Sequence, residues 1–346
     1  MKETIHFFVC RNGFGHQKRV MSIVEKISTF NKEIKSIIHC NRRNFERTKN
    51  WDTTQHLLNK ENVAFEFELM DESPEYLVGL DEQKIKIWLE KVRKVKDLIK
   101  GLIVLDNDVL LLNIFENAMI MGSFFWSNVI DDSDKYSFRT IEKQLLSKYN
   151  PIVMGVESIA MEETKKSPRF MGLPWFGDVS QERQNPIKSR ELILITVGGT
   201  EQDISKYYEL AMKLKSKGER VVVDNGIYKY SKGEMSKFSY LHEDFIKIKA
   251  VFCRPGIGIL DDCVKYGIPV FTLFDGNNKE LVHNAKTVEG LGWGKAIKNT
   301  LLVDDIIKKF ESSDLEIMQS LILKEKSGGA EIVAQYILKK LKEKNE

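Results

Sequence analysis

Residues Ile5–Arg19 read IHFFVCRNGFGHQKR. The apolar run Ile5, Phe7, Phe8, Val9, Cys10 stops at Arg11-Asn12, and Gly13 and Gly15 follow. From His16 onward, Val20, Ile23, Val24 and Ile27 fall at i, i+3, i+4 and i+7 spacing. A short apolar run, a glycine turn and a 3.6-residue period predict a strand, a tight turn and the start of a helix. That arrangement aims backbone N–H groups and a positive helix end at an anionic or polar ligand. His16, in the first helical turn, can face the same ligand. Two more glycine turns follow strand-like runs, at Gly198-Gly199 and at Gly256–Gly258.

Working outward, the first half alternates strand-like and helix-like segments. Ile5–Cys10, Lys35–Cys40, Ala64–Leu69, Leu102–Asp106, Ala118–Phe124 and Pro151–Val156 read as strands. His16–Phe30 and Lys84–Lys100 lie between them as helices, the latter with Ile85, Trp88, Leu89, Val92, Val95 and Ile99 on one face, and Asn44–Lys49 follows the second strand. Strands alternating with helices predict a mostly parallel sheet. Residues 157–190 are polar and carry Pro168, Pro174 and Pro186, so they read as a connection. The pattern then restarts: strands Glu191–Val197, Arg220–Asp224, Ala250–Cys253 and Ile268–Phe274, with helices Ile204–Lys217 and Gly258–Tyr266. Ala330–Lys342 closes the chain as an amphipathic helix.

The expected fold is α/β: two doubly wound Rossmann-like domains facing across a cleft. The expected bounds are 1–156, a connection over 157–190, a second domain over 191–328 and a terminal helix over 329–346. Ligands of such sheets bind beyond the carboxyl ends of the strands, where each glycine turn lies.

The chain has 346 residues, long for a single core. With 53 basic and 50 acidic side chains it is nearly neutral, which does not suit a nucleic-acid binder. Cys10, Cys40, Cys253 and Cys263 lack metal-type spacing, and Cys10 and Cys253 lie in apolar runs. They read as reduced thiols of a cytoplasmic protein. The run after Lys2-Glu3 is too short for a signal-peptide core, and Val109–Ile120, broken by Asn113, Glu116 and Asn117, is no membrane span.

The third turn carries the most chemistry. Cys253–Asp262 reads CRPGIGILDD, a strand end, a glycine turn and a short helix closed by Gly267. Its helix N-terminus suits a diphosphate, and Asp261 suits the two hydroxyls of a ribose. Asp275–Glu280 reads as a polar loop. Taken singly, each feature has a plainer reading. His16 could bond to backbone, the Gly198-Gly199 pair could be an ordinary turn, Asp261-Asp262 could only complement the helix dipole, and Glu280 could be a solvated charge. Three such turns in one chain favour ligand binding. Asp106-Asn107-Asp108 matches a D-x-D metal pattern and Asp131–Asp134 is a second acidic cluster, but acceptor contact or loop polarity fits Asp106 better than a metal. Residues 122–128 read mainly as core, with Trp126 touching an acceptor as the lesser reading.

Together these segments resemble the GT-B glycosyltransferases, and among them the branch of the lipid II-forming N-acetylglucosaminyltransferase. CRPGIGILDD is similar to that branch's nucleotide signature, GFGHQKR at Gly13–Arg19 to its N-terminal glycine-histidine loop, and VGGT at Val197–Thr200 to its donor-domain turn. The resemblance implies a nucleotide-sugar site built from Gly13, Gly15, Gly198, Gly199, Thr200, Arg254, Gly256, Gly258, Asp261, Lys279 and Glu280. Gly198, Gly199 and Thr200 would face the diphosphate, Asp261 or Asp262 the ribose, and Glu280 the sugar. His16 would be the catalytic base, or a phosphate or acceptor contact. It implies an inverting, metal-independent transfer from a nucleotide-sugar, UDP-linked, to a hydroxyl acceptor in cell-surface glycan or glycolipid synthesis. The nucleotide-sugar is then a co-substrate, and no cofactor is needed. Peripheral contact with the inner face of the membrane is compatible with this. A hydrolase using water as acceptor, or a non-catalytic nucleotide-sugar-binding subunit, would share the same motifs.

Overall fold

The computed structural model describes residues 3–76, 79–130, 138–198 and 203–344. Gly199, Thr200 and Asp131–Asp134 lie outside the described residues. The chain divides into two compact units: 1–176 with 328–346, and 177–327.

In the first unit, strands β1 (Thr4–Val9), β2 (Lys35–His39), β3 (Val63–Glu66), β4 (Leu102–Asp106), β5 (Met119–Met121), β6 (Val153–Val156) and β7 (Phe170–Leu173) form one sheet. Its order is β3-β2-β1-β4-β5-β6-β7, with all pairs parallel. The buried run Ile5–Val9 is what a strand covered on both faces requires. Helix Phe14–Phe30 buries Val20, Ile23, Val24 and Ile27, the stripe its spacing predicts. Helix Glu82–Val95 is capped by the Asp81 carboxylate, which accepts from the Gln83 and Lys84 amides, and buries Ile85, Trp88 and Val92. It stops at Val95, and a 3-10 turn over Lys96–Leu98 replaces the longer helix expected.

The second unit contains β8 (Leu192–Thr196), β9 (Arg220–Val223), β10 (Ser236–Lys237), β11 (Ile248–Cys253), β12 (Val270–Phe274) and β13 (Gly294–Lys298). They pair in the order β10-β9-β8-β11-β12-β13, again parallel. Ile193, Ile195, Leu210, Phe252, Phe271 and Phe310 belong to one buried cluster beside this sheet. Helix Ile257–Tyr266 ends on Gly267 at φ 62°, a left-handed cap that glycine takes without a Cβ penalty.

Two expected bounds change. Residues 157–176 are not linker, because β7 pairs in register with β6 from Val153–Phe170 to Val156–Leu173. The terminal helix, Gly329–Glu343, belongs to the first unit, where it packs on helix Phe14–Phe30. Residues 177–190 belong to the second unit. Buried Arg190 ties them down, donating to the carbonyls of Ile248, Tyr266, Arg183 and Asn185.

Candidate active site

In each sheet the chain reverses its order of strand addition once beside the first strand of the unit. In the first sheet that is between β1 and β4, and in the second between β8 and β11. Such switch points are where open α/β sheets bind ligands. Gly13, Gly15 and His16 follow β1 at the first, and Gly198, Arg254, Gly256 and Gly258 follow β8 and β11 at the second.

At the first, Gly13 is exposed, adopts φ 96° and precedes helix Phe14–Phe30. That left-handed backbone favours glycine. The Phe14 ring packs edge-on to Trp51 and carries the Arg47 guanidinium. Gly15 and His16 follow in the first helical turn. Asp106 ends β4, in register with Val9 of β1, and so reaches His16 across 90 residues of sequence. The His16 Nδ1 lies 2.7 Å from Asp106 Oδ1. Arg19, one turn further along the helix, donates from Nε to Asp106 Oδ2 at 3.0 Å and from its other nitrogen to Oδ1. Burial acts to raise the Asp106 carboxyl. The charges and hydrogen bonds of Arg19 and His16 outweigh it and hold the group below its ordinary value. An ionised Asp106 requires the proton on Nδ1, which leaves Nε2 as the acceptor. The His16 side chain is 11% exposed and Asp106 fully buried, so the ring alone can meet a ligand.

The rest of the D-x-D segment serves other partners. Asn107 takes φ 59° and is buried, and its amide donates to Met121 O. Asp108 accepts from Tyr76 Oη at 2.7 Å, and burial pushes its carboxyl up to about 7. Arg11 donates to the carbonyls of Asp71 and Ser73, which fixes the segment that carries Tyr76. Trp126 is 1% exposed, stacked on Tyr76 and tilted against His16, so it backs the imidazole and does not meet an acceptor.

At the second switch point, Thr196 of β8 pairs with Cys253 of β11. Gly198 turns at φ 70°. Its amide does not point to a diphosphate as expected: it donates to Thr196 Oγ1 and to Asp224 Oδ2. Asp224, at the end of β9, also accepts from Thr196 Oγ1 at 2.8 Å and from the Val197 amide at 2.7 Å. This buried carboxylate shapes the turn and was not among the residues singled out by sequence. Its one signal is an Asp after the apolar run Val221–Val223.

Arg254 is half-buried and its amide donates to Thr196 O. Gly256 caps helix Ile257–Tyr266, and a Cβ there would meet nothing within 4 Å. The cap therefore borders open space, with Gly258 half-buried in the first turn and no acidic residue to compete with an anion. Asn284, also unassigned by sequence, donates to Pro255 O at 2.8 Å and holds the turn in place.

Asp261 departs from expectation. It is 7% exposed, and its Oδ1 accepts from the Gly177 amide at 3.0 Å. Asp262 beside it is half-exposed. Lys279 and Glu280 are not in a loop. They open helix Lys279–Gly290, whose first turn is capped by Asn278, and Lys279 is exposed while Glu280 is half-buried.

Two parallel, doubly wound sheets with strand-end glycine turns are the fold of the GT-B glycosyltransferases, and the solved structures similar to this chain bear that out. The calicheamicin glycosyltransferase CalG4 matches at a TM-score of 0.60 and 13% identity, over 98% of each chain. MurG of Acinetobacter baumannii matches at 0.60 and 10%, over 98% of this chain and 100% of its own. LpCGTa, solved in complex with UDP, matches at 0.58 and 12%, over 98% and 94%. No family model and no curated protein sequence matches.

Proposed function

We propose that this chain is an inverting glycosyltransferase that needs no metal and moves a sugar from a UDP-linked donor to a hydroxyl acceptor. The observation that carries the reading is the His16–Asp106 pair at the first switch point. Its free Nε2 accepts the acceptor's hydroxyl proton while that oxygen attacks the anomeric carbon. The bond from that carbon to the diphosphate breaks, and its electrons leave with the nucleotide. Asp106 stabilises the imidazolium that forms. The start of helix Ile257–Tyr266 and Arg254 receive the diphosphate charge in place of a metal. Asp262 holds the ribose, and Glu280 the sugar.

Two features support a cytoplasmic protein that touches the inner face of a membrane. All four cysteines are buried and form no disulfide, and Ile87 and Leu98 are exposed among lysines of the Glu82–Leu98 segment. Among the described residues no helix is long and apolar enough to cross a membrane.

The test begins with thermal shifts in UDP, dTDP, GDP and CMP. A nucleotide at about 100 times its Kd stabilises the native state by about 2.7 kcal/mol. Turnover is then followed as release of the nucleotide from UDP-sugars with and without candidate acceptors. UDP release that requires an acceptor supports transfer. Full-rate release with water alone makes the protein a hydrolase, and binding without release makes it a sensor or subunit.

A further inference from the structure

Phe176 is the last residue of the first unit before the crossing, and Gly177 is the first residue of the second. Each makes one contact that leads to a candidate site. The Phe176 ring is 4% exposed and carries the Arg19 guanidinium, whose Cζ lies 5.5 Å from the ring centroid. Arg19 holds both oxygens of Asp106, sharing Oδ1 with His16, and its terminal nitrogen lies 3.3 Å from the His16 Nδ1. The Gly177 amide donates to Asp261 of helix Ile257–Tyr266. Each contact is internal to one unit, and a single peptide bond joins them.

We propose that Phe176 is a positioning residue for the His16–Asp106 pair, and that Asp261 sets Phe176 through the Gly177 amide. This rests on the transferase reading given above. A guanidinium over an aromatic face is held by the ring's negative quadrupole, and more strongly when both are desolvated. Arg19 is 7% exposed, so water does little to compete with the ring. Moving the ring moves the guanidinium, and Asp106 is bonded to it at both oxygens. The His16 ring then loses the orientation that aims Nε2. Gly177 is as tightly set: a Cβ there would approach Asp261 Oδ2 to 3.2 Å. The carboxylate thus fixes both the direction and the closeness of the crossing backbone. This also accounts for a buried Asp at a helix position where ribose binding was expected.

The test compares Phe176→Leu, Phe176→Tyr, Asp261→Ala and the double variant Phe176→Leu/Asp261→Ala. Folding is checked by urea unfolding. Phe176→Leu keeps an apolar side chain but no ring face, and about a tenfold loss of kcat is expected with the donor KM within about twofold. Phe176→Tyr keeps the ring and restores kcat. The double variant is no slower than the slower single one, as expected for two residues in one path. A Phe176→Leu kcat equal to wild type, or losses that multiply in the double variant, overturns the proposal.

A second readout needs no turnover. The His16 imidazole cross-peak, identified by its loss in His16→Gln, is followed in ligand-free protein. It moves in Phe176→Leu and in Asp261→Ala and stays in place in Phe176→Tyr. If the wild type binds no nucleotide and transfers no sugar, the functional reading fails while the cross-peaks still decide the relay. If both variants leave the cross-peak at its wild-type position, the relay fails whatever the activity.

Discussion

The His16 imidazole and the Asp106 carboxylate lie 2.7 Å apart although 90 residues separate them in sequence. Parallel pairing of β1 with β4 places them together, since Val9 and Asp106 are register partners. The pair makes a specific kinetic demand. His16→Ala removes the proposed base and should lower kcat by at least about 100-fold with little change in the donor's Kd. Asp106→Asn should lower kcat by about 10²–10⁴-fold, because the amide can hold the wrong tautomer. It should also destabilise the fold, since it leaves the buried Arg19 cation without its counter-charge. Near-normal kcat in either folded variant would remove the pair from the mechanism and send the search for the base to Glu116 and Asp131.

The neighbouring carboxylates Asp261 and Asp262 should separate cleanly by isothermal titration with UDP. Asp262→Ala should weaken binding by about 1–3 kcal/mol, the cost of losing a charged hydrogen bond. Asp261→Ala should change the Kd by less than about threefold, because its carboxylate is committed to the Gly177 amide. The opposite order of effects would return the ribose contact to Asp261.

Much of this architecture was legible in the sequence because buried parallel strands are short apolar runs and their helices keep a 3.6-residue stripe. Ile5–Val9 and helix Phe14–Phe30 follow that rule closely. The rule fails at the sheet edges. β7, FMGL at Phe170–Leu173, is an edge strand with only Leu173 buried, and it hides in a polar, proline-bearing stretch. β13, GKAIK, carries two lysines for the same reason. Glycine turns and His16 were equally visible. Their partners were not, because Asp106, Asp224 and the Gly177 amide are supplied by distant parts of the chain. Motifs mark where a turn falls, while the direction of each N–H depends on which buried acceptor lies behind it. That is why the Gly198 amide turned out to serve Asp224.

The proposed mechanism assigns leaving-group stabilisation to backbone amides and Arg254, so activity should persist in EDTA. The two carboxylates of the Asp106–Asp108 segment are held by Arg19 and by Tyr76 respectively, and they share no protein partner among the hydrogen bonds described. Turnover that chelation abolishes and Mn²⁺ or Mg²⁺ restores would overturn the metal-independent mechanism.

Glu142 gives a prediction about stability and pH. Its side chain is fully buried, and its Oε2 accepts the Ser127 amide at 2.6 Å. Its other oxygen has no hydrogen-bond partner. Burial is the main force on the group and pushes its carboxyl up from an ordinary 4.5 to about 7, against the hydrogen bonds it accepts and with a smaller push from Asp108. The native state therefore holds a proton that the unfolded chain has released between those two values. Stability from this group is complete below pH 4.5 and is lost as pH rises through about 7. The gap corresponds to about 3 kcal/mol at pH 8. Glu142→Gln keeps a carbonyl oxygen for the Ser127 amide and cannot ionise. Relative to wild type it should gain about 3 kcal/mol more at pH 8 than at pH 4.5, read from urea unfolding at the two values. Asp108, raised in the same direction, is retained in both proteins and does not alter the sign of the comparison. An equal effect of the substitution at both pH values would show that burial does not raise the Glu142 carboxyl above its value in the unfolded chain.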